Sequence, residues 1–314
     1  MPLHPVAQEM IDDFVASGRP NAHLLPIPVA RENFERLFAD IERPDVAQVI
    51  DVDIPVGDSS VRGRVYVPVR SEQSLPLLMF FHGGGWLLGS IDSHDMMARK
   101  VALATGCITV SVDYRRGPEA RFPAAVVDCY EATCWAVSHA SDWGADGDRL
   151  VVAGDSAGGN LATVVAIRAR DEAGPAIAHQ LLVYPVTTCD IEIGFDSDYD
   201  EIMLFRDEIV WHQENYLSSP DDRTNPWVAP LGAQLRGLPP ATVLLAECDP
   251  IRPQGRLYAE ALAAADVPVL VEEYPGLIHG FFGLEMLFPE AEDAMVLAGR
   301  EVRASVGTSA ASDV

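Results

Sequence analysis

The sequence of 314 residues contains a single lysine, Lys100, and its formal net charge is −25. Acidic residues outnumber lysines and arginines by 47 to 22. A surface with this excess of negative charge repels the phosphates of nucleic acids and of anionic lipids. We therefore expect no nucleic-acid partner. The charge itself fits either a biased composition or an adaptation to high salt.

Long apolar runs are also missing. No stretch approaches the ~20 apolar residues that a membrane-spanning helix needs. The first residues, MPLHPVAQEMIDDF, show no basic segment followed by an apolar one. This pattern is not typical of a secretory leader or a transit peptide. We predict no membrane association and a cytoplasmic location.

Cysteines are few, odd in number and scattered: the chain has five. A disulfide framework would need an even set at regular spacing, so we expect reduced thiols packed in the core. Cys129 and Cys134 lie five residues apart, with no second pair and no neighbouring histidine cluster to complete a zinc site. We predict no metal.

An alternation of apolar strands and helical patterns dominates from residue 46 onward. Two strands at 46–56 and 61–69 come first. Further strands are predicted at 75–81, 107–114, 149–154, 180–184, 242–247 and 269–274. Helical patterns fall between them, at about 94–105, 123–139, 158–172, 253–265 and 289–304. Eight strands in this alternation predict a mostly parallel sheet flanked by helices on both faces.

Three segments stand apart from this alternation. Amphipathic helices are predicted at 5–17 and 30–41, and the stretch 187–225 is too long and too aromatic for an ordinary loop. We predict that residues 1–45 and 187–225 form a helical cap. The core domain then comprises 46–186 and 226–305, and 306–314 forms a disordered tail.

The most informative motif is Gly154-Asp155-Ser156-Ala157-Gly158, which joins a predicted strand to a predicted helix. A serine hydroxyl becomes a useful nucleophile when a tight turn exposes it beside a base. Gly154 and Gly158 permit such a turn because they lack Cβ atoms. We predict Ser156 as the nucleophile and Asp155 as a supporting residue.

A second glycine-rich motif, His82-Gly83-Gly84-Gly85-Trp86, directly follows the strand at 75–81. Backbone N–H groups in such a loop can bind the oxyanion of a tetrahedral intermediate. We predict donors at Gly83 and Gly84, with a third at Ala157. His82 and Gly85 are predicted to have structural roles, His82 by holding the loop with its ring.

The remaining members of a catalytic triad follow in the order acid, then histidine. His279 is the only histidine after His212, and it lies just after the last strand, so we predict it as the base. Asp249 lies at the tip of the preceding strand and is predicted to orient it. Glu247 lies deeper in that strand. His94 is expected to brace a helix, and His212 lies either at the pocket or on a solvated face of the cap.

Taken together, these motifs identify a resemblance to the hormone-sensitive-lipase-like esterases, the bacterial family IV carboxylesterases. The matching residues are 82–86 with Gly89-Ser90, 113–115, 118–119, 122–125, 154–159, Asp249-Pro250 and 279–281. The resemblance implies the α/β-hydrolase fold with a helical cap. It also implies Ser156, Asp249 and His279 as the triad, and Gly83, Gly84 and Ala157 as oxyanion donors.

The activity that the resemblance implies is hydrolysis of small-molecule esters with short to medium acyl chains, without a cofactor. Two departures from the family pattern, at 252–255 and 116–117, concern the cap contacts and the substrate preference. Two alternatives stay open: an amide or lactone hydrolase, and a small-molecule receptor like the plant gibberellin receptors, which lack the working histidine. The oligomeric state is also open, with a homodimer among the alternatives.

Overall fold

The computed structural model describes residues 2–307. These residues form one sheet of eight strands with helices packed on it. The strands, in chain order, are β1 (Gln48–Val56), β2 (Ser59–Val67), β3 (Leu75–Phe81), β4 (Ile108–Val112), β5 (Ala145–Asp155), β6 (Ile177–Val183), β7 (Ala241–Cys248) and β8 (Val269–Ile278). Their order across the sheet is β1-β2-β4-β3-β5-β6-β7-β8. β2 is antiparallel to both of its neighbours, and the remaining pairs are parallel. The predicted mostly parallel, eight-stranded sheet is confirmed.

Helices cover both faces of this sheet. They are α1 (Pro5–Ser17), α2 (Ile27–Phe38), α3 (Asp95–Thr105), α4 (Ala124–His139), α5 (Ala157–Asp171), α6 (Ile191–Gly194), α7 (Arg206–Tyr216), α8 (Arg252–Ala264) and α9 (Glu290–Val306). Short 3-10 helices occur at Ala22–Leu24, Ala140–Trp143, Ser197–Tyr199, Pro220–Thr224 and Pro230–Gly232. None of the helices in the described part of the chain has both the length and the apolar character of a bilayer span.

Side chains alternate between two apolar cores because successive residues of a strand point to opposite faces. In β3, Leu77 and Met79 pack into a core with α4, α5 and α8. Leu78 and Phe80 pack on the other face, with α3 and α9. Every residue of β3 after the first is buried, as expected for a strand inside a parallel sheet.

Element boundaries differ from the predictions where turn residues lie inside an element. β8 continues to Ile278, four residues beyond its predicted end, although Pro275 and Gly276 suggested a loop; Cys248 of β7 still pairs with Ile278 after a bulge. α2 begins at Ile27, because Pro28 fits the first turn of a helix. α9 extends through Val306, and residues 308–314 of the predicted tail lie outside the described residues.

One helix from the N-terminal region, α2, and one from the 187–225 segment, α7, pack on the same part of the core. Arg31 of α2 donates through its guanidinium to the backbone oxygens of Leu87 and Gly117. Ala30 of α2 packs with Leu87, and Trp211 of α7 contacts the same apolar cluster. α2 and α7 therefore meet above the chain that follows the glycine-rich loop.

Candidate active site

Three parallel strands deliver the predicted triad to one edge of the sheet. Ser156 directly follows β5, Asp249 follows β7, and His279 follows β8. The carboxyl ends of parallel strands lie at the same edge, where sites collect in open α/β sheets. Residues far apart in the sequence are thus brought together by the strand order alone.

The hydrogen bonds among these three side chains form a continuous chain. The Nε2 atom of His279 lies 3.0 Å from the Oγ atom of Ser156. Its Nδ1 atom lies 2.7 Å from Oδ2 of Asp249. Because the carboxylate can only accept, Nδ1 carries the proton and Nε2 is left to accept the hydrogen of the serine hydroxyl. This is the tautomer that a general base needs.

Burial and neighbouring negative charge have opposite effects on the pKa of His279. Burial alone lowers the pKa of the imidazole, but the Asp249 carboxylate, with smaller contributions from Asp155 and Glu208, outweighs this effect, and the pKa of His279 lies above its ordinary value of 6.5. Asp249 is fully buried, and its other oxygen accepts the N–H of Ile251 at 2.9 Å. The imidazolium that forms during proton transfer is therefore stabilised by a fixed, desolvated negative charge.

The turn at Ser156 is strained and closely packed. Ser156 has φ 53° and ψ −118°, a backbone conformation that non-glycine residues rarely adopt. Its N–H donates to the carbonyl of Val183 at 2.9 Å, which ties the turn to the end of β6. A Cβ atom on Gly158 would collide with the carbonyl oxygen of Phe81, and one on Gly154 with that of Gly158. The glycines of the motif are therefore required by close backbone approach.

Asp155 links this turn to the glycine-rich loop. Its Oδ1 atom accepts the N–H of Gly83 at 2.9 Å, and its side chain is buried. Its Oδ2 atom lies 3.7 Å from Nε2 of His94, whose ring stacks against Phe34 and Phe38 of α2. The helix α2 is therefore connected to the catalytic edge through His94 and Asp155. The sequence offered no signal for this link beyond the presence of a histidine.

The hydrogen bond between Gly83 and Asp155 corrects the prediction that Gly83 is an oxyanion donor. Its N–H is already donated to Asp155, so it is not available to a substrate. Within residues 2–307, the N–H groups of Gly84 and Gly85 donate to no protein acceptor. Ala157 is the first residue of α5, where N–H groups lack an intrahelical partner. The available donors are therefore those of Gly84, Gly85 and Ala157.

His82 lies beneath the glycine-rich loop. Its Nδ1 atom is 2.8 Å from the carbonyl oxygen of Gly83, and its ring stacks on Tyr114 at 4.3 Å between centroids. The Tyr114 hydroxyl donates to the carbonyl oxygen of His82 at 2.7 Å. Burial lowers the pKa of His82 well below its ordinary range, so the ring is neutral. These contacts are those of a residue that holds the loop in place.

Glu247, which lies two residues before Asp249, does not bind the catalytic histidine. Its Oε2 atom accepts the N–H of Gly276 at 2.8 Å, inside β8. In the described part of the chain, no group of three or more His, Cys, Asp and Glu side chains is placed to hold a metal ion.

Two surface clefts, with volumes of about 250 and 320 Å³, lie away from this site, because none of the predicted site residues lines them.

Two residues of α7 also lie beside the site: His212, for which the sequence left a pocket or a solvated position open, and Glu208, which no sequence pattern singled out. His212 is buried, not solvated, and its ring packs so closely on Gly85 that a Cβ atom there would collide with Nδ1. Glu208, one turn earlier, is half-buried, and its negative charge helps to raise the pKa of His279. A long acidic and aromatic segment signalled a cap, but not which of its residues face the triad.

The fold and this arrangement define a class: a hydrolase with a serine nucleophile on a sharp strand-to-helix turn. A family described as α/β-hydrolase fold matches residues 78–283. The carboxylesterase NlhH of Mycobacterium tuberculosis is 41% identical over 247 residues, covering 77% of this chain and 75% of the relative. An arylesterase of Saccharolobus solfataricus is 33% identical over 299 residues, covering 90% and 93%.

A solved structure is similar over nearly the whole chain. The hyperthermophilic esterase from the archaeon Pyrobaculum calidifontis has a TM-score of 0.91 and 35% identity, covering 97% of this chain and 99% of that one. The chain therefore belongs to the α/β-hydrolase family, in its hormone-sensitive-lipase-like branch.

Proposed function

We propose that the protein is a carboxylesterase that hydrolyses small esters with short to medium acyl chains through an acyl-enzyme on Ser156. The observation that carries the proposal is the hydrogen-bonded series Asp249–His279–Ser156, with its two distances of 2.7 and 3.0 Å. The relatives named as a carboxylesterase and an arylesterase give it further support.

The proposed reaction has two steps. Ser156 Oγ attacks the ester carbonyl while His279 Nε2 takes the hydroxyl proton, and the N–H groups of Gly84, Gly85 and Ala157 bind the oxyanion. His279 then gives this proton to the leaving alcohol as the C–O bond breaks. A water molecule attacks the acyl-enzyme in the same way, and the carboxylic acid leaves as the proton returns to Ser156. These steps need no metal or cofactor.

The cap is part of the proposal. Residues 1–45 and 187–225 together cover the catalytic edge, and residues 46–186 and 226–305 form the core domain. The packing of α2 and α7 above the glycine-rich loop supports this division. A cap built from two separate segments would form the walls of the substrate pocket.

The test compares the wild-type protein with Ser156→Ala on a series of p-nitrophenyl esters from acetyl to dodecanoyl, with amide and lactone analogues alongside. We expect turnover that is highest for the shorter chains and a loss of at least about 10⁴-fold in kcat for the variant. Ser138→Ala, at an exposed serine on α4, is the matched control. Tight binding of an ester without turnover by the wild-type protein would instead favour a receptor, and turnover of the amide or lactone alone would favour the other hydrolase class.

A further inference from the structure

The inner side of α7 presents two titratable side chains to the catalytic edge, and the proposed two-step mechanism uses neither. The Oε1 atom of Glu208 lies 3.8 Å from Nε2 of His212, four residues later on the same helix. The side chains are 14% and 10% exposed. Placing a carboxylate and an imidazole on the inner face of a helix costs desolvation energy, so their position calls for an explanation.

His212 fixes the position of this pair relative to the oxyanion loop. Its ring packs so closely on the backbone of Gly85 that a Cβ atom at position 85 would collide with it. Within the described residues, its buried Nδ1 atom has no hydrogen-bond partner. The ring is nine-tenths buried, and it therefore fixes where α7 lies relative to the oxyanion loop.

Glu208 lies one turn before His212, on the same side of α7. Its negative charge adds to those of Asp249 and Asp155 in raising the pKa of His279. A role in helix capping alone does not explain this position, because Asp207 in the same first turn is exposed and already supplies a negative charge near the N-terminus of α7. Glu208 instead turns inward, beside His212.

We propose that Glu208, beside His212 on the inner side of α7, is a specificity-determining residue that selects esters carrying an ammonium group. A carboxylate that is only 14% exposed is less screened by water than a surface charge, so it attracts a cationic substrate and repels an anionic one more strongly. The arrangement deepens the proposed function and rests on it, because the selected molecules are esters that react at Ser156.

The test uses pairs of esters that differ only in charge. Acetylcholine is compared with 3,3-dimethylbutyl acetate, which places the ammonium group on the alcohol side. The p-nitrophenyl ester of 4-(trimethylammonio)butanoic acid is compared with that of 5,5-dimethylhexanoic acid, which places it on the acyl side. For each pair, the measured quantity is the ratio of the two kcat/KM values, cationic over neutral.

Glu208→Gln keeps the shape of the side chain and removes its charge. We expect this variant to lower the ratio by roughly tenfold or more in at least one pair. Glu214→Gln, an equal charge change on the exposed side of α7, is the matched control and should leave both ratios as in the wild-type protein. Circular dichroism and thermal unfolding establish that each variant is folded.

Two results would overturn the inference. One is an unchanged ratio in Glu208→Gln for both pairs. The other is an equal fall in Glu208→Gln and Glu214→Gln, which would assign the preference to the overall negative charge of the protein. Failure of the proposed function looks different: the wild-type protein would then hydrolyse neither member of either pair nor p-nitrophenyl acetate.

Discussion

Removing the charge of Asp155 should impair catalysis without removing any group that reacts. Its carboxylate holds the N–H of Gly83 at 2.9 Å in a buried position, and so fixes the loop that carries the proposed donors Gly84 and Gly85. A hydrogen bond to a charged group contributes about 1.5–3 kcal/mol, and a neutral one about 0.5–1.5 kcal/mol. The difference, about 1–1.5 kcal/mol, corresponds to a factor of roughly 5 to 12.

We therefore expect kcat to fall about 5- to 12-fold in Asp155→Asn, which keeps an acceptor of the same shape. Asp155→Ala leaves the Gly83 N–H unpaired and the loop free to turn, and losing a correctly placed oxyanion donor costs about 10²–10³ in rate. KM should change little in both variants, since the donors act mainly on the transition state.

The assay is steady-state hydrolysis of p-nitrophenyl acetate, with thermal unfolding to check the fold. Asp171→Asn is a suitable control, because this carboxylate lies on the exposed end of α5. Wild-type kcat in Asp155→Ala, with the fold intact, would refute the link from Asp155 through Gly83 to the oxyanion donors. A rise in KM at constant kcat would refute it equally.

Two further predictions concern pH and stability. The value of kcat/KM should fall as the pH decreases through the pKa of His279, because only the neutral imidazole accepts the serine proton. Asp249 helps to raise this pKa above 6.5. A pH profile that is flat down to about pH 5 would contradict the prediction. Arg115→Met should lower the free energy of unfolding by about 3 kcal/mol in urea titration, since it leaves the fully buried Asp128 carboxylate without its ion pair. Arg300→Met, at an exposed pair, should cost under about 0.5 kcal/mol, and equal losses in the two variants would count against the burial argument.

Much of the fold could be predicted because each element carries a local signal. The strand 75–81 was predicted with its observed bounds, since it is an unbroken apolar run between polar residues. The edge at which Ser156, Asp249 and His279 meet followed from the position of each residue after a parallel strand. For these three residues, the sequence pattern alone was enough to predict their position at one edge of the sheet.

Other features depend on packing that no local pattern encodes. Which N–H of the glycine-rich loop is available is decided by Asp155, 72 residues later in the chain, so Gly83 was assigned incorrectly. The inward direction of Glu208 and His212 depends on how α7 rests on Gly85. The link from α2 to Asp155 through His94 likewise joins distant segments by contact alone.

The central claim, that Ser156 is activated by His279 to attack an ester-like electrophile, is tested most directly by covalent trapping. The protein is treated with a p-nitrophenyl alkylphosphonate, digested and examined by mass spectrometry, alongside Ser156→Ala and His279→Ala. We predict one phosphonyl group per chain, on the peptide that contains Ser156, with labelling slowed by at least about 10³-fold in His279→Ala. Loss of activity with the label on another residue, or equally fast labelling of Ser156→Ala, would contradict the account.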